Sequence, residues 1–469
     1  MFTIRRSGST RNCEGLTRRD MLQVGTLGLG GLTLSNLLSL DAQAATGRNS
    51  ILKDRSIVML NLQGGPTHIE TFDPKMTAPA EYRAMFGEVK TTLPGVTFGS
   101  HFERLAKHAH NMSIVRSFRH GNSSHGTAAA LVAAGGNPSG ANMGSTYARV
   151  AGLNNPQTGM PTCAVVRPGA VGDKYRKLGA QIGRITAVGD LPKSYAPFDP
   201  SAGSNIMRNM ELKISETRLD DRRGLLSELD SLKRKVDSTD ALRGTDEFQR
   251  QAFDVILGGI GDAFDLKNED PRIVAEYDTR KIDIPKYLYK KKNKNLAGQS
   301  PVSLGHQMLM ARKMVEAGCR FVTVTSAGWD MHGNAFGVDD GMPILGTAVD
   351  VAASAFLSDL QRLGLSEKVL LIITGEFGRT PRINKKGGRD HWGNLCTLAF
   401  AGGGLPMGQV IGQSNRTASV PASDPVTTRQ LLATVMHYML DIGELRLSSA
   451  VPSDILRTLT TGEPIPQLV

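Results

Sequence analysis

The stretch Ser56-Ile57-Val58-Met59-Leu60-Asn61-Leu62, followed by Gln63-Gly64-Gly65-Pro66, decides the reading of this chain. Its apolar residues run on without alternation, so it reads as a strand buried on both faces, and the Gly-Gly-Pro turn ends it. Outward from it, strands are expected at residues 112–115 and 161–166, with a small-residue helix at 126–134 between them. A second alternation follows: helix 304–317, strand 321–325, helix 344–363, and strands 369–374 and 397–401. Such strand and helix alternation defines an α/β domain, and the two segments are expected to share one mainly parallel sheet sandwiched by helices. Residues 205–300 differ, with many charges, apolar spacing at Leu225, Leu226, Leu229 and Leu232, and extended text near Ile284-Pro285. They read as a charged helical insertion with one wet face. Residues 45–469 are thus expected to form a single domain.

The N-terminus reads as an export signal. Thr17-Arg18-Arg19-Asp20-Met21-Leu22 precedes a weakly apolar stretch at residues 24–40 that is broken by Gly25, Gly28, Gly30 and Gly31. That stretch is short for a membrane span, which needs about 20 apolar residues. Ala42-Gln43-Ala44 then supplies a small-x-small cleavage pattern, so residues 1–44 are expected to be a twin-arginine signal peptide. The expected partner during export is the twin-arginine translocase, and the expected location is the periplasm or the exterior. Removing residues 1–44 takes away five arginines and three acids and lowers the formal charge from +11 to +9.

An apolar content of 40% argues against general disorder. The basic balance favours acidic partners, such as an anionic ester or glycan, without choosing among them. No nucleic-acid motif accompanies the run Lys290-Lys291-Lys292-Asn293-Lys294, which reads as a solvated loop, and no nucleic-acid partner is expected. Three cysteines remain after cleavage, Cys163, Cys319 and Cys396, with no CxxC pair, so no disulfide scaffold is indicated. No transmembrane segment is expected in the mature chain.

The polar residues of interest all follow expected strands. His68, Glu70 and Asp73 come after the first; His120, Ser123, Ser124, His125 and Thr127 after the second; Asp330 and His332 after residues 321–325. Glu376 and Arg379 follow residues 369–374, and Asp390 with His391 lie in the next loop. These loops therefore carry imidazole and carboxylate groups towards one rim, where parallel sheets bind ligands. Divalent ions take such donors and can activate water or polarise an ester. Asp330-Met331-His332 places two side chains on one side if extended, as a ligand pair or as a structural turn. Glu376, in Gly375-Glu376-Phe377-Gly378-Arg379-Thr380, reads either as a positioned carboxylate or as a helix-capping turn.

Four blocks in order carry a resemblance. They are Leu62-Gln63-Gly64-Gly65-Pro66-Thr67-His68-Ile69-Glu70-Thr71-Phe72-Asp73-Pro74-Lys75, Gly328-Trp329-Asp330-Met331-His332, Gly375-Glu376-Phe377-Gly378-Arg379-Thr380-Pro381 and Gly388-Arg389-Asp390-His391-Trp392. The chain resembles the bacterial domain-of-unknown-function 1501 family over nearly all of its mature length. That family is similar to the sulfatase and alkaline phosphatase superfamily, which implies a central mainly parallel sheet between helices. The resemblance implies a metal-dependent hydrolase of phosphate or sulfate esters, and the mixed imidazole and carboxylate set suits zinc or manganese better than calcium, which prefers oxygen. The alternative is a noncatalytic binding protein on the same fold for an anionic glycan or a protein partner.

The superfamily pattern carries over only in part. Where its members have an Asp ligand at the end of the first strand, this chain has Asn61, Leu62 and Gln63, with His68, Glu70 or Asp73 as substitutes. Their Asp-His-Gly becomes Glu376-Phe377-Gly378, which keeps the carboxylate and loses the imidazole. Counting back from Gly135, the nucleophile position falls on His125, with Ser124 and Thr127 adjacent. The implied metal ligands are therefore His68, Asp73, Asp330, His332, Glu376, Asp390 and His391. His125, Ser124 and Thr127 are expected beside the attacked centre, and Arg379 is expected to stabilise developing charge.

Overall fold

The computed structural model describes residues 51–172, 175, 181–201, 261–290, 300–333, 336–449 and 451–469. The expected signal peptide (1–44), most of the expected insertion (205–260 and 291–299 of 205–300) and the end of the lysine run (291–294) lie outside the described residues. Strand β1 (Ser56–Gln63) is buried at every position, Ser56, Asn61 and Gln63 included, as its apolar run without alternation predicts. After it come a small hairpin, β2 (Glu88–Lys90) and β3 (Thr97–Gly99), then β4 (Met112–Val115) and β5 (Cys163–Val166). Next are β6 (Phe321–Ala327), β7 (Val369–Gly375), the short pair β8 (Gly378–Arg379) and β9 (His391–Trp392), then β10 (Leu398–Gly402) and β11 (Gln409–Ile411).

Seven of these strands form one sheet in the order β11-β4-β10-β7-β1-β6-β5. β1 runs parallel to both β6 and β7, β5 is parallel to β6, and β11 is parallel to β4. Only β10 runs against its two neighbours in this sheet. The two alternating segments of sequence therefore do share one mainly parallel sheet.

Helices cover both faces: α1 (His125–Ala134), α2 (Met143–Ala151), α3 (Ser300–Glu316), α4 (Val338–Arg362) and α5 (Thr428–Met439). Alternate residues of each strand point to opposite faces. Val58, Leu60 and Leu62 of β1 join Leu304, Met308, Leu345 and Phe356 of α3 and α4 in one core layer. Ile57 and Met59 join Val132, Tyr147, Leu431 and Met436 of α1, α2 and α5 in the other. The architecture is a three-layer α/β sandwich.

Helix α4 has the length and apolarity of a membrane span, but most of it is buried inside the fold. It is a core helix, and it begins before Pro343, where the sequence reading starts it after that residue. The described end of the insertion forms short helices at Pro271–Glu276 and Lys286–Lys290, and Phe264, Ile273, Tyr277 and Leu288 pack into the α3–α4 layer. Arg312 of α3 fixes this corner, pairing with Glu269, Glu316 and Asp359 while Tyr277 Oη donates to Asp359 Oδ2.

Candidate metal centre

Parallel β7, β1 and β6 lie side by side and end together, with Leu62 level with Gly375 on one flank and Ser326 on the other. The turn after β1 lets their loops meet. Gly64 has φ +111°, and a Cβ there would stand 2.6 Å from Asp330 N; a Cβ on Gly65 would stand 2.4 Å from the Phe377 ring. Only glycine combines that backbone conformation with such close approach. Gly64 N donates to Glu376 Oε1 at 3.1 Å, while Arg379 donates to Gly64 O and, through Nε, to Gly65 O at 2.9 Å. The glycine turn thus grips both polar residues that follow β7. Arg379 is fully buried, pairs with Asp330, and donates to Arg389 O at 3.0 Å.

Three histidines converge on Asp330. Each has its Nδ1 occupied from behind: His125 by the Glu376 carboxylate, His332 by Asp390 Oδ1 at 2.8 Å, and His391 by the Ser123 carbonyl at 2.9 Å. A ring that donates through Nδ1 presents Nε2 as a lone pair. Those Nε2 atoms lie 3.5 Å (His125), 3.0 Å (His332) and 3.1 Å (His391) from Asp330 oxygens, and the His332 and His391 Nε2 atoms are 2.9 Å apart. Acceptors gathered this closely repel one another unless a proton or a cation stands among them.

His125, Asp330 and His391 offer ligand atoms within 4.8 Å of one another, a group that could hold a metal ion. Mixed imidazole nitrogen and carboxylate oxygen suits zinc and manganese. A further sign is Glu376 Oε2, buried and without a hydrogen-bond partner. The residues present therefore fit a divalent ion. Hydrogen bonds to Asp330 and then to Glu376, opposed by burial, raise the His125 imidazole to about 9. Burial works against the charge of Asp330, yet the His125 and His391 rings, which donate through Nε2 once a proton is taken up there, and the Arg379 guanidinium hold its carboxyl far below the usual range.

The remaining expected residues fall into two sets. His120 braces the centre: its Nε2 donates to Glu376 O at 2.8 Å, its Nδ1 accepts from Asn122 N at 3.2 Å, and burial lowers its pKa. Ser124 is exposed at the start of α1, next to His125. Thr127, also exposed, sits two residues into the helix and so on a different face from His125. Asp390 stands behind His332.

His68 and Asp73, the expected substitutes for the missing first-strand carboxylate, are engaged elsewhere. Buried His68 donates through Nε2 to Ala418 O at 2.9 Å, and burial lowers its pKa to about 4. Asp73 accepts from Ser414 Oγ and pairs with Lys75 and Arg116. Glu70 forms a buried ion pair with Arg389 at 3.0 Å. The carboxylate set against the β1 turn is Asp330 instead, brought by the neighbouring strand.

Sequence reasoning missed Phe377 and Arg389 as contributors. Phe377, fully buried, lies 5.1 Å from the His125 ring and 4.5 Å from the His391 ring and walls the centre on one side. Its place between Glu376 and Arg379 was the available signal.

The fold and the site define an α/β protein with a histidine and carboxylate centre at the C-terminal edge of a mainly parallel sheet. The chain belongs to the family described as protein of unknown function (DUF1501), whose model matches residues 54–447. No curated protein matches it. Among solved structures it is similar to the PsFucS1 sulfatase from Pseudoalteromonas sp., at 13% identity and a TM-score of 0.32, over 82% of this chain and 68% of that one. It is also similar to Ps i-CgsB, solved in complex with k-i-k-neocarrahexaose, at 8% identity and a TM-score of 0.31, over 88% and 77% of the two chains. Likenesses this loose leave the chemistry to be read from the side chains.

Proposed function

We propose that the protein is an exported, metal-dependent hydrolase of sulfate or phosphate esters. The observation that carries this reading is the convergence of three imidazole Nε2 atoms on Asp330 while every Nδ1 is held from behind. A bound zinc or manganese ion supplies Lewis acidity towards an ester oxygen and a water of lowered pKa. His125, Asp330 and His391 would hold it, with His332 at its edge.

The chain's own groups do the rest. Arg379, fully buried and engaged by the Gly64, Gly65 and Arg389 carbonyls, keeps Asp330 ionised and acts on the centre through that carboxylate, not on the ester directly as the sequence reading expected. Phe377 excludes water from one wall, which strengthens those interactions. Ser124, exposed beside His125, brings a hydroxyl to the rim. Arg18-Arg19, the apolar stretch and Ala42-Gln43-Ala44 support export through the twin-arginine translocase to the periplasm or beyond, and the basic mature chain suits an anionic substrate.

The test is turnover of a panel of aryl sulfates, aryl phosphates and phosphodiesters by protein supplied with zinc or manganese. Turnover that disappears in His391→Ala supports the reading. A folded protein that cleaves none of them and yet binds an anionic glycan is a binding protein instead.

A further inference from the structure

A recess of about 470 Å³ opens beside the metal centre, lined by His332, Gly333, Asn384, Lys385, Lys386 and Asp390. Its wall is a fixed loop. Asn384 Oδ1 accepts from Lys386 N at 2.9 Å and Gly388 N at 3.1 Å, and its Nδ2 donates to His332 O at 3.1 Å and Asp390 Oδ1 at 3.3 Å. Asn384 N also donates to Gly388 O at 2.8 Å. The next residue, Arg389, is locked by its buried pair with Glu70. Lys385 and Lys386 are exposed, and the backbone that carries them is held by these hydrogen bonds.

Neither lysine forms an ion pair among the described residues. The carboxylate in the recess, Asp390, is already engaged by His332 Nδ1 at 2.8 Å and by the Asn384 amide. Two adjacent ammonium groups in a concave wall focus positive potential, and here the wall is continuous with His332.

We infer that this recess is a second anion subsite, so that the substrate carries a further sulfate or phosphate group beside the ester that is cut. This rests on the hydrolase reading. The ester group faces the histidines and Asp330, while the second tetrahedral oxyanion is held by Lys385 and Lys386. Discrimination then follows from charge: exposed ion pairs are individually weak, so the two lysines together favour the doubly anionic molecule by about 2- to 10-fold. The preference shrinks as ionic strength rises, because exposed charges are screened.

The experiment uses the zinc-loaded protein and two ligand pairs, a monosulfated and a disulfated disaccharide, and a hexose monophosphate and a hexose bisphosphate. Calorimetric affinity and kcat/KM are measured for each, in the wild type and in a Lys385→Ser/Lys386→Ser double variant whose fold is checked by circular dichroism. The expected result is a several-fold preference for the doubly anionic member of one pair, falling towards one in the double variant and at high salt. The pair with the larger ratio identifies sulfate or phosphate. A wild-type ratio of one, or a ratio that survives loss of both lysines, overturns the inference while leaving the hydrolase reading intact. If no ester is cut, the hydrolase reading falls, and the calorimetric ratio still decides whether the recess holds a second anion.

Discussion

His125 Nδ1 is hydrogen-bonded to the carboxylate of Glu376, 251 residues further along the chain, and this bond turns His125 Nε2 towards Asp330. Glu376 takes its position from Gly64 N and from His120, which donates to its carbonyl. A carboxylate behind an imidazole fixes the ring and raises its basicity, and losing such a partner typically costs 10- to 100-fold in metal affinity. Glu376→Ala is therefore expected to weaken zinc binding by about 100-fold and Glu376→Gln, which keeps an acceptor oxygen, by about 10-fold. Metal titration checks this. Equal affinity in wild type and Glu376→Ala would show that the carboxylate holds nothing of consequence.

The loop carrying Asp390 and His391 is anchored by Arg389 and Glu70, both almost wholly buried. Removing one partner leaves an uncompensated buried charge, at a cost of about 3–5 kcal/mol. Arg389→Ala should lower stability by about that much in urea unfolding. Its metal affinity should fall as well, because His391 loses its support.

Gly64 stands at φ +111° with no room for a Cβ beside Asp330 N. Gly64→Ala should therefore cost about 1–3 kcal/mol through backbone strain, with a further cost from displacing the Asp330 loop. The loss is read from the unfolding midpoint. A variant as stable as wild type would mean that the two loops can separate freely.

His68 gives a pH dependence of defined sign. Its folded pKa, about 4, lies below the ordinary histidine value of 6.5, because burial disfavours the charged ring. Between those values the unfolded chain binds more protons, so stability falls as pH drops from about 6.5 to 4 and is fully present above that window. The contribution is on the order of 3 kcal/mol. Unfolding free energies of wild type and His68→Gln should therefore diverge in slope across that window and run parallel above it. Parallel slopes throughout would place the ring in a solvated setting.

Much of the fold is legible because β1 carries an unalternating apolar run, Ile57 to Leu60, and ends in a turn only glycine can make. Asp330, His332 and Glu376 are legible in the same way, as polar residues following apolar strands, and His391 as a histidine in the loop beyond. Helix α4 is longer than the sequence suggests, because it runs through Pro343, a residue that ordinarily stops or kinks a helix. Helix α5 is marked in the sequence only by the capping box that Thr427 and Gln430 form at its start. The division of labour within the site was hidden for another reason. Whether a histidine offers Nε2 to the centre depends on what holds its Nδ1, and those partners come from distant parts of the chain. By sequence alone His68 and Asp73 looked equivalent to Asp330, because all three follow strands; only packing shows that Ala418, Ser414, Lys75 and Arg116 engage the first two.

The central claim is that the histidine and carboxylate cluster holds a divalent ion. Elemental analysis of protein purified without chelator tests it most directly. The account predicts roughly one equivalent or more of zinc or manganese per chain. That content should be lost in Asp330→Ala and His391→Ala while both variants remain folded. Folded wild-type protein that carries no transition metal, and takes up neither zinc nor manganese on dialysis, would contradict it.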